Sequence, residues 1–535
     1  MNQIGTQGHL VLILHAHLPF VRHPEDESFF EEQWLFEGIV ETYMPLLAIA
    51  EQWQRDGIAA RVTLSLSPPL LEMLRDDLLL RRCAERLHRL VELAQREVQR
   101  TASDERFAFT AQMYRDRLAE ILERFETRYH RDLVAQFKSL QRAGIFEIVT
   151  SSATHAFLPC FDAASARAQI QVGVECYRRH FGHSPPGIWL PECGFVPGLD
   201  RILADQSLSY FFVDSHAVEF ADPMPILGTY APIVCPSGAY AFARNRDSSA
   251  QVWSADWGYP GDGRYREFYR DIGFDLDEAS LRQFIPSDGN RRSTGIKYHR
   301  VTARDIPLHG KEPYHRGWAM EAVEQHAEHF VRSRNAQMQC WHDLTGRQPV
   351  VVAPYDAELF GHWWFEGPEF LDRVVRKIAD GCLPLRLSTP TDVIDSGVTF
   401  QVAMPAASSW GAYGYSDTWV NARTQWIWPH LLHAVDQMAT VARDWRAPSE
   451  LEIRALNQLG REVLLACSSD WPFMITMGTM VGYAERRIRA HVNRFSRLLE
   501  QLKTGQISES WLRVLEETDN VFLDLDYRVF AAEAT

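Results

Sequence analysis

Short apolar or β-branched runs, each closed by a turn and followed by a helical pattern, constrain this chain more than any other feature. They lie at residues 10–14, 62–66, 145–150, 188–190, 210–213, 350–353 and 385–387. Strands that alternate with helices run parallel, because a parallel neighbour is reached only through a crossover. Seven such units predict an α/β fold closed into a barrel rather than spread as an open sheet. Residues 77–138 are charged, amphipathic and free of proline, so they read as long helices inserted between two strands. Beyond about residue 400 the pattern turns helical, which predicts a barrel domain over 1–400 and a C-terminal helical domain over 401–535.

The 535 residues, 46% of them hydrophobic, suffice for at least one large core and two or three domains. Fifty-five Lys and Arg against 70 Asp and Glu leave a net charge of −15, which argues against a nucleic-acid groove or an anionic membrane as partner. A neutral polymer is compatible, and many of the 16 Trp stand near Gly, Asp and His, where exposed rings suit the flat apolar faces of sugars. The eight cysteines form no CxxC pair, and no basic segment with a cleavage site opens the chain. These features predict reduced thiols in a cytoplasmic protein, and the expected state is a monomer or weak homo-oligomer.

In a parallel barrel the chemistry sits where strands end. The first run ends in His15-Ala16-His17, whose i, i+2 spacing turns both imidazoles to one side of an extended chain. The third leads to His155, and the three histidines suit either hydrogen bonds to hydroxyls or metal ligation. The fourth ends in Trp189-Leu190-Pro191-Glu192, and the run at 350–353 leads to Asp356 among aromatic residues. Two carboxylates at one barrel mouth are what glycoside cleavage needs, one to attack the anomeric carbon and one to pass the proton.

At these residues the sequence closely resembles glycoside hydrolase family 57 and, within it, the 1,4-α-glucan branching enzymes. The matching blocks are His15-Ala16-His17-Leu18-Pro19, Thr150-Ser151-Ser152-Ala153-Thr154-His155, Trp189-Leu190-Pro191-Glu192-Cys193, and the stretch from Ala353 through Asp356 to Trp363. They run in family order and span most of the chain. The resemblance implies a (β/α)7 catalytic barrel, an inserted helical subdomain and a C-terminal helical domain that completes the cleft. It implies Glu192 as nucleophile, Asp356 as general acid/base and no cofactor or metal. The substrates would be amylose, glycogen and maltooligosaccharides. Further blocks match branching-enzyme segments and imply substrate contacts at Arg244, Gly261, Trp253, Trp410, Trp419 and Asp470, beside His15, His17 and His155. Core packing is the competing reading for Trp410 and Trp419, and a helix N-cap for Asp470.

One departure stands out. Branching enzymes of this family often carry a long loop before the Phe242-like segment, with a tyrosine at its tip that shields the covalent intermediate. Here only residues 217–243 separate His216 from Arg244, and Tyr240 is the candidate substitute. The expectation is a cleft open to solvent along residues 237–245, and α-1,6 transfer accompanied by substantial hydrolysis. The alternatives are an α-amylase or 4-α-glucanotransferase on the same scaffold, a metal-dependent carbohydrate enzyme using His15, His17, His155 and Asp214, and a non-catalytic glycan-binding protein.

Overall fold

The computed structural model describes residues 8–26, 29–254, 257–281, 284 and 290–531. Nine strands are assigned among them: β1 (Gly8–Ala16), β2 (Val62–Leu66), β3 (Phe146–Val149), β4 (Gly187–Ile188), β5 (Tyr210–Val213), β6 (Ile233–Val234), β7 (Tyr240–Ala243), β8 (Val350–Asp356) and β9 (Leu385–Leu387). One sheet has the order β3-β2-β1-β8 with β9 added on β1, and the other the order β4-β5-β7-β6. All pairs are parallel except β6 with β7. Single parallel bridges connect the two sheets, Thr150 to Ile188 between β3 and β4, and Arg244 to Val352 between β7 and β8.

Every residue of β1 is buried, as befits a parallel strand covered on both faces. Its side chains alternate between two cores. Leu10, Leu12 and Leu14 join the large core shared with the helices. Val11 and Ile13 point the other way, into a smaller core with Val149, Trp189, Phe212, Phe242 and Val352.

All seven runs read from the sequence became strands, with the bounds of some shifted by a few residues. Two strands were missed. The run at β7 is Tyr240-Ala241-Phe242-Ala243, short, half alanine and introduced by Gly238, so it lacks the β-branched density that marks the others. It nevertheless pairs with β5 along its length. Conversely, β9 touches only Gly8 to Leu10 of β1.

Between β2 and β3 run helices α1 (Asp77–Arg100), α2 (Ala108–Glu123) and α3 (Leu133–Arg142). Asp76 caps the first by accepting from the Leu79 N–H, and Leu79, Leu80, Cys83, Leu87, Leu90 and Ala94 form its buried stripe at helical spacing. Helix α4 (Arg316–Thr345) precedes β8, and the C-terminal region holds α5 (Ile427–Asp444), α6 (Glu450–Ala466), α7 (Asp470–Met477), α8 (Val481–Thr504) and α9 (Glu509–Thr518). Residues 401–426, expected to be helical, are irregular apart from one 3-10 turn. Pro405, Gly411 and Gly414 interrupt any helix there, and the segment instead lies along the strand ends, bridging Phe195 to Ser408 and Asp222 to Met404. No helix among the described residues is long and apolar enough to cross a membrane.

Candidate active site

Parallel strands all end on one side, so whatever follows them is gathered together. The register makes this specific: His15 is paired with Ser65 of β2 on one side and with Asp356 of β8 on the other.

Glu192 follows β4 in a tight turn and adopts φ 63°, ψ 19°. For a residue with a side chain the left-handed region costs about 1–2 kcal/mol, so the surroundings must hold it. The Cys193 and Gly194 N–H groups donate to Leu190 and Pro191, and the Glu192 carbonyl accepts from the Trp410 N–H at 2.9 Å. Gly194 is required in that turn, because a Cβ there would stand 2.7 Å from the Phe157 ring. The carboxylate receives two donors, the indole N–H of Trp410 at 2.8 Å on Oε2 and the hydroxyl of Ser469 at 2.8 Å on Oε1. Burial raises its pKa, and these two hydrogen bonds act against that rise.

Asp356 is in the opposite situation. Burial, then the charges of Glu358 and Glu192, push its carboxyl well above the usual carboxylate range. Glu358 is itself fixed by the Tyr43 hydroxyl at 2.5 Å and the His17 N–H at 3.3 Å. One carboxyl group is thus supplied with two donors, while the other faces two carboxylates.

The three histidines come together. His15 and His155 face each other through their Nε2 atoms at 3.0 Å, and the rings of His17 and His155 stack with centroids 3.8 Å apart. Burial, and then the neighbouring histidines, hold His15 and His155 well below the ordinary histidine pKa. For His17 burial acts the same way, but Asp470, 3.0 Å from its Nε2, and more distantly Glu192 and Glu358 raise its pKa above the ordinary value. His17, His155 and Asp470 offer ligand atoms within 4.8 Å of one another, close enough to surround an ion. In the sequence-derived metal set Asp214 stood in place of Asp470; Asp214 instead pairs with Arg244 and with His216.

Arg244 lies just past β7, where that ion pair engages it, and the side chains that donate to the Glu192 carboxylate are Trp410 and Ser469. Asp470 does not cap its helix with its side chain, which accepts from Ser468 and lies against His17. Trp410 reaches the Glu192 carboxylate and sets its ring edge against Trp189. Trp419 is buried and stacked on Phe157 at 4.2 Å, forming a wall. Trp253 is half exposed at the end of a short helix, and Gly261 sits in a 3-10 turn beside Arg304. Neither lines the cavity of about 710 Å³ that contains Glu192, Trp410 and Trp419.

Tyr240 is the first residue of β7, so it lies at the opposite end of that strand from Arg244. Residues 235–240 therefore do not border the carboxylates, and Tyr240 is no substitute for a shielding tyrosine. The loop at the cavity mouth is instead the one around Tyr413, which is 87% exposed, with φ 62°. That loop is tied down by His216 Nε2, 2.8 Å from the Gly414 carbonyl, and by the Ser409 N–H donating to the same oxygen. Sequence reading did not single out Tyr413, Ser469, Tyr43 or Ser65 as site residues; Ser65 lies within the run at 62–66 and Ser469 beside Asp470, but neither carries a chemical signature of its own.

The family model for glycosyl hydrolase family 57 matches residues 11–339, and that for the C-terminal part of 1,4-alpha-glucan branching enzymes matches residues 430–530. A 1,4-alpha-glucan branching enzyme of Thermococcus kodakarensis is 34% identical over 96% of this chain and 77% of its own length. Among solved structures, the alpha-amylase AmyC of Thermotoga maritima is 45% identical, with 99% of this chain and 100% of that one covered at a TM-score of 0.93. The GH57-type branching enzyme of Pyrococcus horikoshii is 31% identical, with 99% and 97% covered at 0.88. The first match runs from within β1 through β7 and includes the strand-end residues His15, His155, Glu192 and Arg244; the chain belongs to glycosyl hydrolase family 57.

Proposed function

We propose that this chain is a retaining 1,4-α-glucan branching enzyme whose catalytic unit, within residues 1–400, is a (β/α)7 barrel. The pairings support closure: β1-β2-β3 and β4-β5-β7 are joined through Thr150 and Ile188, and β7 returns to β8 and β1 through Arg244 and Val352. Residues 77–138 form the inserted helical subdomain, and 401–535 the C-terminal domain that supplies Trp410, Ser469 and Asp470 to the cleft.

Glu192 is the nucleophile and Asp356 the acid/base. The observation that carries this reading is the contrast in their surroundings, two hydrogen-bond donors on Glu192 and two facing carboxylates on Asp356. Asp356 gives its proton to the glycosidic oxygen of an α-1,4 bond as Glu192 attacks the anomeric carbon, forming a β-linked glucosyl ester and releasing the reducing-end fragment. Asp356, now a carboxylate, takes the proton of an incoming 6-hydroxyl while its oxygen bonds to that carbon and Glu192 departs. The product is an α-1,6 branch. His17, Arg244, Trp253, Gly261, Trp410, Trp419 and Asp470 bind the glucan, and His15 and His155, whose ring nitrogens are taken up by Ser65, Ser469 and each other, lie beneath them.

A second reading, an α-amylase, is favoured by the 45% identity to the Thermotoga maritima protein of that name. Water then replaces the 6-hydroxyl, and a 4-hydroxyl acceptor would make a 4-α-glucanotransferase. One experiment separates all three. Linear amylose is incubated with the enzyme, and α-1,6 linkages are counted against new reducing ends. Branching yields linkages in excess; reducing ends alone mean hydrolysis, and neither, with the chain lengths of the amylose redistributed, means disproportionation.

A further inference from the structure

The imidazoles beneath Glu192 belong to a continuous chain of contacts. Ser65 Oγ lies 3.0 Å from His15 Nδ1, His15 Nε2 lies 3.0 Å from His155 Nε2, and His155 Nδ1 lies 2.9 Å from Ser469 Oγ, which donates to Glu192 Oε1 at 2.8 Å. Ser65, His15, His155 and Ser469 are each at most 3% exposed, so bulk water does not compete for these groups.

The directions of these bonds follow from donor counting. An ionised carboxylate only accepts, so Ser469 spends its single proton on Glu192 and must accept from His155 Nδ1–H. A neutral imidazole carries one N–H, which leaves His155 Nε2 as an acceptor and requires His15 to donate from Nε2. His15 Nδ1 is then a lone pair, and Ser65 supplies the proton to it. Each link has one solution once the Glu192 end is fixed.

We propose that Ser65 is a positioning residue: among the described residues the only acceptor its buried hydroxyl reaches is His15 Nδ1, so by donating there, three hydrogen bonds from Ser469, it favours the same tautomers of His15 and His155 from the far end and keeps Ser469 donating to Glu192. Without that hydroxyl His15 is free to carry its proton on Nδ1, His155 must then donate from Nε2, and its Nδ1 becomes an acceptor that draws the Ser469 proton away from Glu192. A change remote from the carboxylate therefore costs it a donor. This inference deepens the reading of Glu192 as nucleophile and rests on it for its kinetic consequence.

The other groups facing Glu192 are Trp410, His17, Asp470 and Asp356, and none of them changes in a Ser65 variant. Ser65→Ala should lower kcat roughly tenfold, the worth of about one hydrogen bond, with KM for amylose little changed. It should also shift the acid limb of the kcat profile to higher pH, because a carboxylate that loses a donor is easier to protonate. Ser65→Thr, which keeps the hydroxyl, should restore both. A loss of packing alone would lower kcat without moving the limb and would leave Thr no better than Ala; that pattern overturns the proposal. Neutron diffraction of the deuterated wild-type enzyme reads the tautomers directly. Protons on His15 Nε2 and His155 Nδ1 support it, and a proton on His15 Nδ1 overturns it, whatever Glu192→Gln does to turnover. An active Glu192→Gln enzyme with the stated protons would instead remove the nucleophile assignment and leave the hydrogen-bond chain standing.

Discussion

The indole nitrogen of Trp410 lies 2.8 Å from Oε2 of Glu192, so a residue from the irregular C-terminal segment donates directly onto the carboxylate at the end of β4. Trp410→Phe keeps an aromatic ring and removes the donor. The expected result is a fall in kcat of roughly tenfold to a hundredfold, as for a hydrogen bond to a charged group. The acid limb should move to higher pH, since Glu192 then protonates more readily. Initial rates of amylose cleavage across pH check both.

Glu192→Gln and Asp356→Asn should each leave a folded protein, verified by circular dichroism, with turnover lowered by roughly 10²–10⁴ or more. In a glucan complex the two carboxyl groups should stand about 5–5.5 Å apart, the separation of a retaining pair. A gap that admits a water between them would point to inversion, and near-normal turnover in either variant would remove the assignment.

Glu358→Gln tests how Asp356 is kept protonated. Removing the Glu358 charge takes away the largest cause of the raised Asp356 pKa after burial. Asp356 then loses its proton at lower pH, and because it must be protonated to start the reaction, the basic limb of the profile should move down. An unmoved basic limb would show that burial and Glu192 set this group without Glu358.

Tyr413 presents its ring at the mouth of the cavity on a backbone that strongly favours glycine. Keeping a tyrosine in the left-handed region costs about 1–3 kcal/mol, a cost concentrated at functional positions. Tyr413→Gly should relieve that strain without lowering Tm, yet raise the number of reducing ends formed per α-1,6 linkage, as should Tyr413→Ala. An unchanged ratio in both would show that the ring neither shields the intermediate nor holds the acceptor.

What the sequence revealed depended on whether a feature was local. Strand β2, with Val62, Thr63 and two leucines, and the apolar β5 were legible to the residue, whereas β7, with its two alanines, was hidden. Missing β7 misplaced Tyr240, because only the strand shows that Tyr240 and Arg244 stand at opposite ends. Glu192 and Asp356 could be read because each stands at or just past the end of a strand. Their partners could not: Trp410 is 218 residues from Glu192 and Ser469 is 277, and a serine carries no local signature of what it will touch.

Those separations also set an order of events during synthesis. A nascent chain that has left the ribosome through residue 400 already carries both carboxyl groups and all three histidines, but neither Trp410 nor Ser469. Until α7 has been made, Glu192 lacks both donors and the turn at its backbone lacks the Trp410 tie. The carboxyl groups are thus made first and the donors that tune Glu192 last, so the site is complete only once α7 has docked against the strand ends.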